Sequence, residues 1–165
     1  MRRIVFFALI GALTSCNDAL PLPTSPDLSA TLQITTEKSS YTRSEIPASS
    51  TGIRGTITNA GDRTVFARMG DAFNGAVEQN PVYVANGSDG ALEHSEGSNW
   101  VTVEGATLVE GVKEIELRAG KSYSFIAHGS PSAPAGTYRI TVSYRTSAGA
   151  SQPAGRASSA SFEIR

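Results

Sequence analysis

Residues 137–145 decide the fold, and they read Thr137-Tyr138-Arg139-Ile140-Thr141-Val142-Ser143-Tyr144-Arg145. Large apolar or aromatic side chains occupy every second position from Tyr138 to Tyr144, and polar side chains fill the positions between them. Successive side chains of a β-strand point to opposite faces of the sheet. The alternation therefore predicts a strand with one face in the core and one face in water.

Shorter runs with the same alternation lie on both sides of this strand. Gly, Pro, Asn, Asp and Ser separate the runs, which is the composition of turns. No run holds a helical period over about ten residues. The runs contain Leu32 and Ile34, Ile53 and Ile57, Val65 to Ala67, Pro81 to Ala85, Trp100 to Val103, Ile115 and Leu117, Tyr123 to Ala127, and Phe162 with Ile164. The pattern predicts one all-β domain, an antiparallel β-sandwich of about seven to nine strands.

Three segments between the runs are predicted as turns or loops. Asn59-Ala60-Gly61-Asp62 has turn chemistry, so the runs before and after it are predicted to pair as an antiparallel hairpin. Glu93-His94-Ser95-Glu96 and the Ser- and Gly-rich stretch 147–159 lack alternation, and both are predicted to be loops.

The segment Pro134-Ala135-Gly136-Thr137-Tyr138-Arg139-Ile140 resembles the tyrosine corner of immunoglobulin-like domains. There a tyrosine near the start of a late strand bonds back to the preceding turn. The resemblance implies an immunoglobulin-like sandwich in which Tyr138 makes that bond. Ile140 stands where antibody domains place their second cysteine, so the disulfide of those domains is missing here.

A second resemblance concerns the order of features from about Gly55 to Tyr138. Asn59-Ala60-Gly61-Asp62, a long middle section with a tryptophan, Leu117-Arg118-Ala119-Gly120-Lys121 and Ala135-Gly136-Thr137-Tyr138 follow one another. This layout is similar to that of bacterial intracellular proteinase inhibitor domains. It implies an inhibitory or accessory role, and the same turns also occur in sandwiches of other function.

The first sixteen residues have the organisation of a secretory signal. Arg2 and Arg3 precede an apolar run from Ile4 to Leu13, and small residues lead to Cys16. The run is about half as long as the ~20 residues needed to span a membrane as a helix. Leu13-Thr14-Ser15-Cys16 resembles the lipobox of bacterial lipoproteins. The resemblance implies that diacylglycerol alkylates the Cys16 sulfur, that residues 1–15 are removed, and that a fatty acid such as palmitate acylates the new amino terminus.

The segment after Cys16 contains three prolines and many small polar residues, and 16–30 is predicted to be a flexible tether ahead of a domain at 31–165. Extended at about 3.1 Å per residue, the tether would hold the domain up to ~40 Å from the bilayer. Asn17 rather than aspartate follows the cysteine, which favours the outer membrane facing the periplasm. The cell surface and the inner membrane are the alternatives.

Charge and composition narrow the possible partners and chemistry. Without residues 1–15 the chain keeps 12 of its 14 basic residues and all 15 acidic residues, so its net charge is −3. Such a balance gives no basic face for nucleic acid. His94 and His128 are far apart, and the loop Asn86-Gly87-Ser88-Asp89-Gly90 lacks the acids of a calcium loop, so neither metal nor cofactor is expected. The chain has no Gly-x-Ser-x-Gly or Ser-x-x-Lys pattern, and it is not expected to be an enzyme.

The middle segment from Asp71 to Gly111 is the part that folding explains least, since it has irregular patterning and the one tryptophan. Loops and edges on a rigid scaffold are common recognition sites, so a binding surface with Trp100, Tyr83 and Asp89 is predicted there. Alternatively Trp100 packs in the core and the segment is a variable crossover. These observations predict a membrane-anchored, non-catalytic binding or structural module with an envelope protein or glycan partner. The alternative is an inhibitor or accessory domain for a periplasmic enzyme.

Overall fold

A computed structural model of the chain describes residues 32–47, 51–70, 82–84, 89–103 and 111–165. The predicted signal peptide, Cys16, the tether and the remainder of the middle segment, including Asn86 to Ser88, lie outside the described residues. Every regular element of the described chain is a β-strand, which confirms the all-β prediction. In the same described ranges there is no helix of the length and apolar character needed to cross a membrane.

Twelve strands follow one another along the described chain. They are β1 (Leu32–Thr36), β2 (Ser40–Tyr41), β3 (Ile53–Asn59), β4 (Val65–Gly70), β5 (Val82–Tyr83), β6 (Gly90–Glu96), β7 (Asn99–Thr102), β8 (Val112–Leu117), β9 (Ser122–Ala127), β10 (Gly136–Arg145), β11 (Gly155–Ser158) and β12 (Phe162–Ile164).

The strands hydrogen-bond into one continuous sheet that curls around a single core. Its main path runs β1-β3-β9-β5-β4-β10-β12-β2, with β8 on β4, β6 and β11 on β10, and β7 on β6. Most pairs are antiparallel, while β5 joins β9 and β2 joins β12 in parallel. The immunoglobulin-like strand arrangement goes beyond this topology and stays a prediction.

Strand β10 organises half of the sheet because it has partners along both edges. Tyr138 lies opposite Phe162 of β12 and His94 of β6, and Tyr144 lies opposite Gly155 of β11 and Ala67 of β4. The alternate side chains Tyr138, Ile140, Val142 and Tyr144 are fully buried. The strand and core face predicted from the sequence are confirmed.

The opposite face of β10 does not fit the prediction. It was expected to be wet, yet Thr141, Ser143 and Arg145 are all buried. This face is covered by side chains from β6, β7 and β11 and by the chain after β10. The polar groups of the face therefore make hydrogen bonds and ion pairs within the protein and not with water. Polar character alone therefore did not indicate exposure, because buried polar groups are stable when their hydrogen bonds are satisfied.

The predicted hairpin between the runs at 53–59 and 65–67 is wrong. Strand β3 pairs with β1 and β9, whereas β4 pairs with β5, β8 and β10. The turn after β3 and the turn between β8 and β9 therefore both cross from one half of the sheet to the other. Asn59 fastens the two crossovers: its side-chain amide donates to the carbonyls of Arg63 and Leu117, and its side-chain oxygen accepts from Gly61 N.

The loop prediction also fails at Glu93 to Glu96, which belong to β6, and at 155–158, which form β11. With the two-residue strand β2, these strands raise the total above the predicted seven to nine. All three are short or lack apolar alternation, so the period-2 pattern did not mark them.

The turn before β10 has the geometry that the tyrosine corner implies. The hydroxyl of Tyr138 donates a 2.6 Å hydrogen bond to the carbonyl of Pro134, four residues back. The ring of Tyr138 lies beside the rings of His94 and Phe162, with centroids 4.7 Å and 6.3 Å away. The corner thus ties the start of β10 to the preceding turn through a buried side chain.

Candidate functional site

The polar face of the neighbouring strands β11, β10, β6 and β7 carries a connected group of side chains. The strand register places Glu93 opposite both Arg139 and Thr102, so these three side chains share a face. Trp100 lies two positions before Thr102, and therefore on the same face. We call the group of Glu93, Trp100, Arg139, Thr141 and Arg156 the Trp100 face.

Glu93 is the centre of this group. Its side chain is 7% exposed, and each carboxylate oxygen accepts from a different arginine. The Arg139 Nε lies 2.7 Å from Oε2, and Arg156 Nη2 lies 3.0 Å from Oε1. Arg156 Nη2 also donates to the Thr141 hydroxyl at 2.6 Å. A buried carboxylate is tolerated here because both oxygens have cationic partners.

Trp100 covers Arg139 from the edge strand β7. The guanidinium carbon of Arg139 lies 4.2 Å from the centroid of the Trp100 ring, which is a cation–π contact. Trp100 is half-buried, so it is neither a core residue nor a freely exposed one. The contact and the Glu93 ion pair together fix the orientation of the Trp100 ring and of the Arg139 guanidinium.

Asp89 lies at the other end of the same face. It forms an ion pair with Arg145, whose side chain is 2% exposed and whose Nε donates to the carbonyl of Ala150 at 2.7 Å. Arg145 Nη1 is buried and has no hydrogen-bond partner in the described part of the chain. Arg139 and Arg145 are six residues apart on β10, which is about 20 Å along a strand. Asp89 and Trp100 therefore share a face but not a site.

An open depression of about 460 Å³ lies next to Asp89. Its lining mixes one cation, two carboxylates and an exposed valine: Arg68, Asp89, Val112, Glu114 and Gly149. Glu114 Oε1 accepts from the backbone N of Gly149 at 2.9 Å, and Arg68 Nη2 lies 3.4 Å from the carbonyl of Ala150. These contacts hold the chain after β10 against β4 and β8. Arg68 and Glu114 therefore stabilise the fold at this point.

Tyr83 is not part of either group. It lies half-buried on β5, with its ring edge-on to His128 at a centroid distance of 5.5 Å. Burial lowers the pKa of His128, because the surroundings disfavour its charged form. The three predicted residues therefore have different partners: Tyr83 packs on His128, Trp100 packs on Arg139, and Asp89 pairs with Arg145.

The described residues include no group of three or more His, Cys, Asp or Glu side chains placed to hold a metal ion. His94 packs on Tyr138 and lies 3.8 Å from a Glu96 carboxylate oxygen, and His128 packs on Tyr83. Both histidines therefore have packing partners in the fold.

The sequence alone did not indicate that Glu93, Arg139, Thr141 and Arg156 belong to the site with Trp100. The binding surface was predicted within the middle segment, yet Arg139 and Arg145 of β10 contact Trp100 and Asp89. Glu93 and Arg139 are 46 residues apart, so only the strand register brings them together. A polar residue at every second position of β10 was the one sequence signal that pointed to this face.

Comparisons of the chain with protein-family models, with curated protein sequences and with solved structures gave no match. The site is therefore interpreted from its own geometry.

Proposed function

We propose that this chain is a lipid-anchored, non-catalytic binding module of the bacterial cell envelope, and that it binds its partner through the Trp100 face. The observation that carries the proposal is the half-exposed Trp100 ring held on Arg139. Tryptophan and arginine are the side chains most enriched among residues that dominate binding energy. A side chain already held in place loses less entropy when a partner binds.

The lipobox at Leu13 to Cys16 supports the anchored part of the proposal. A diacylglyceryl group supplies two acyl chains, and each buried CH₂ contributes about 0.8 kcal/mol, so membrane attachment would be stable. The proline-rich tether would keep the domain clear of the headgroups. We place the lipid in the outer membrane, with the domain in the periplasm.

The scaffold in this proposal is an immunoglobulin-like sandwich. Its support is the Tyr138 hydrogen bond to Pro134, together with a curled all-β sheet around one core. Such scaffolds are rigid and present their edges and loops for recognition. The edge strand β7, with Trp100, would then be presented to the partner.

Site-specific photocrosslinking in living cells tests the proposed face. A photoreactive amino acid replaces Thr102, which is exposed and points to the same side as Trp100. The matched control replaces Gln33, an exposed residue on β1. We expect a discrete crosslinked product from position 102 that disappears with Trp100→Ala. A product from position 33 alone, or a chain-dependent chemical change in the captured partner, would overturn the proposal.

The loop between β10 and β11 supports a second candidate function, that of an inhibitor or accessory domain for a periplasmic enzyme. Its residues are mostly exposed, and Arg145 and Glu114 fix its tip through Ala150 and Gly149. A loop held in one conformation can enter an enzyme cleft at a low entropic cost. Inhibition of envelope proteases by the purified chain, lost when 151–153 are replaced by glycines, would favour this function over the first.

A further inference from the structure

The charge of the Trp100 face is unbalanced. Two guanidinium groups, those of Arg139 and Arg156, meet a single carboxylate, that of Glu93. Glu93 is almost completely buried with both oxygens engaged, so it has little capacity to accept further donors. Among the described residues, the five side chains that define the face therefore carry one net positive charge, on a chain whose net charge is −1. Glu163 lies on the same side of the sheet, and its carboxylate accepts from the Thr137 hydroxyl.

Within the part of the chain that the structure describes, both arginines keep hydrogen-bond donors available. Arg139 uses Nε for Glu93, and Arg156 uses Nη2 for Glu93 and Thr141. A guanidinium has five N–H donors in a rigid fork that fits a carboxylate. The side chains of Arg139 and Arg156 are 28% and 46% exposed, so the remaining donors can reach a ligand in solvent.

The shape of the face suits an extended ligand. The strands β7, β6, β10 and β11 lie side by side, so the face is about 14 Å wide. Trp100 lies at one end with one ring side on Arg139, and Arg156 lies on the strand at the other end. Ring stacking and anion binding can thus act on successive units of one polymer.

From this charge and shape we infer that the Trp100 face binds an acidic polysaccharide, with sugar carboxylates held by Arg139 and Arg156 and a sugar ring packed on Trp100. The inference rests on the proposed binding function and names its ligand class. A sugar ring has an apolar side that packs on an aromatic ring and a polar edge that accepts arginine donors. The face thus matches a carboxylated sugar unit in both respects.

An acidic peptide matches the structure less well. The face is bordered by two strands with one partner each in the described sheet, β7 and β11. Strand β11 lies against β1, so the place left for an extended peptide is the outer edge of β7. A peptide strand there would lie three strand spacings, about 14 Å, from β10, with the Trp100 ring between it and Arg139. It would also contact Val101, whose side chain lies on the opposite side of β7 from Trp100.

Binding measurements with three defined polymers test the inference, using the full-length lipidated chain in detergent. Polygalacturonate is the acidic polysaccharide, dextran the neutral one, and poly-L-glutamate the acidic peptide. We expect polygalacturonate to bind and dextran and polyglutamate not to bind. Added salt should weaken the binding, because the charges on this face are partly exposed.

Variants connect the binding to the face. Arg156→Gln and Trp100→Ala should each lower the affinity for polygalacturonate about tenfold or more, since a charge-assisted hydrogen bond or a stacked ring is lost. Arg156→Lys keeps the charge but not the fork, so it should bind more tightly than Arg156→Gln and more weakly than the unchanged chain, which separates a loss of charge from a loss of folding. The matched control is Arg118→Gln, because Arg118 makes a similar 2.9 Å ion pair with Glu116 away from this face. Val101→Glu should leave the affinity unchanged.

Each other outcome overturns the inference. Equal binding of dextran would exclude the arginine contacts, and equal binding of polyglutamate, lost in Val101→Glu, would indicate a peptide partner on β7. If polygalacturonate does not bind, or if Arg118→Gln weakens it as much as Arg156→Gln, the ligand class is wrong. A crosslink from position 102 would still stand in that case, so the proposed function can survive the failure of this inference.

Discussion

At the scale of single residues, Glu93 shows how a buried charge can be part of the fold. Its two oxygens have separate arginine partners, and Arg139 has a second partner in Trp100. Removing one partner of a buried ion pair costs more than the pair contributes, because the remaining charge loses its compensation. The stability of the Trp100 face should therefore depend on Glu93.

Glu93→Gln should lower the free energy of unfolding by about 1–3 kcal/mol, because the amide keeps one acceptor oxygen and turns an NH₂ donor towards the other arginine. Chemical denaturation measures the change. The matched control is Glu116→Gln, whose carboxylate pairs with Arg118 at the surface and should contribute at most about 1 kcal/mol. Equal effects of the two substitutions would show that Glu93 is not the buried centre described here.

Tyr138 provides a second residue-scale prediction. Tyr138→Phe removes the hydroxyl that donates to Pro134 and leaves a turn carbonyl without its partner, so stability should fall by about 1 kcal/mol. Tyr123→Phe is the control, because the half-buried Tyr123 has no hydroxyl hydrogen bond in the described part of the chain. A melting temperature that falls in the control and not in Tyr138→Phe would contradict the tyrosine corner.

At the scale of elements, the crossovers after β3 and after β8 depend on Asn59. Asn59→Ala removes three hydrogen bonds, including the buried one to the carbonyl of Leu117. We expect a loss of about 2–4 kcal/mol in the free energy of unfolding. Asn99→Ala, an exposed change on β7, should alter stability by no more than about 0.5 kcal/mol. If Asn59→Ala changes the free energy of unfolding only slightly, contacts other than those of Asn59 stabilise the two crossovers.

The segment between β2 and β3 gives a prediction about pH. Lys38 bonds to the Glu45 carboxylate, and Thr42 donates to it through its backbone N and its hydroxyl. These bonds lower the pKa of Glu45 from 4.5 to about 2. Because the folded pKa lies below the ordinary one, the stabilisation is complete above pH 4.5 and is lost as the pH falls towards 2.

NMR titration of the Glu45 carboxyl group should therefore give a pKa of about 2, and Lys38→Met should raise it towards 4.5. The control Lys121→Met changes an exposed lysine elsewhere and should leave the Glu45 pKa unchanged. If Glu45 titrates near 4.5 in the unchanged chain, the hydrogen bonds described here are not formed in solution.

A strand could be predicted from the sequence where its apolar and polar residues alternate. In β10 one face is apolar at every second residue from Tyr138 to Tyr144, and in β3 Ile53 and Ile57 share the buried face, so the sequence was sufficient to predict both strands. In β6 the small residue Ala91 and the charged Glu93 are both buried, so apolar and polar positions do not mark the two faces. Trp100 could be identified as a candidate because it is the one tryptophan. Its contact with Arg139 depends on the pairing of β6 with β10 and could not be read from one chain segment.

At the scale of the whole molecule, the proposed function combines a lipid anchor at one end of the chain with a binding face on the domain. The Trp100 face lies on strands β6, β7, β10 and β11 of the curled sheet, while β1, where the described chain begins, pairs with β3. In this proposal the lipid only attaches the domain to the membrane. The domain must therefore bind its partner through its own surface. The proposed place of action therefore depends on lipidation of Cys16.

The most direct measurement is metabolic labelling with an alkyne fatty acid followed by membrane fractionation, comparing the unchanged chain with Cys16→Ser. Only the thiol can form the thioether with diacylglycerol, so the unchanged chain should carry the label and sediment with the outer membrane. Cys16→Ser should carry no label and should appear as an uncleaved or soluble product. Labelling or unchanged membrane partition of Cys16→Ser would contradict the account.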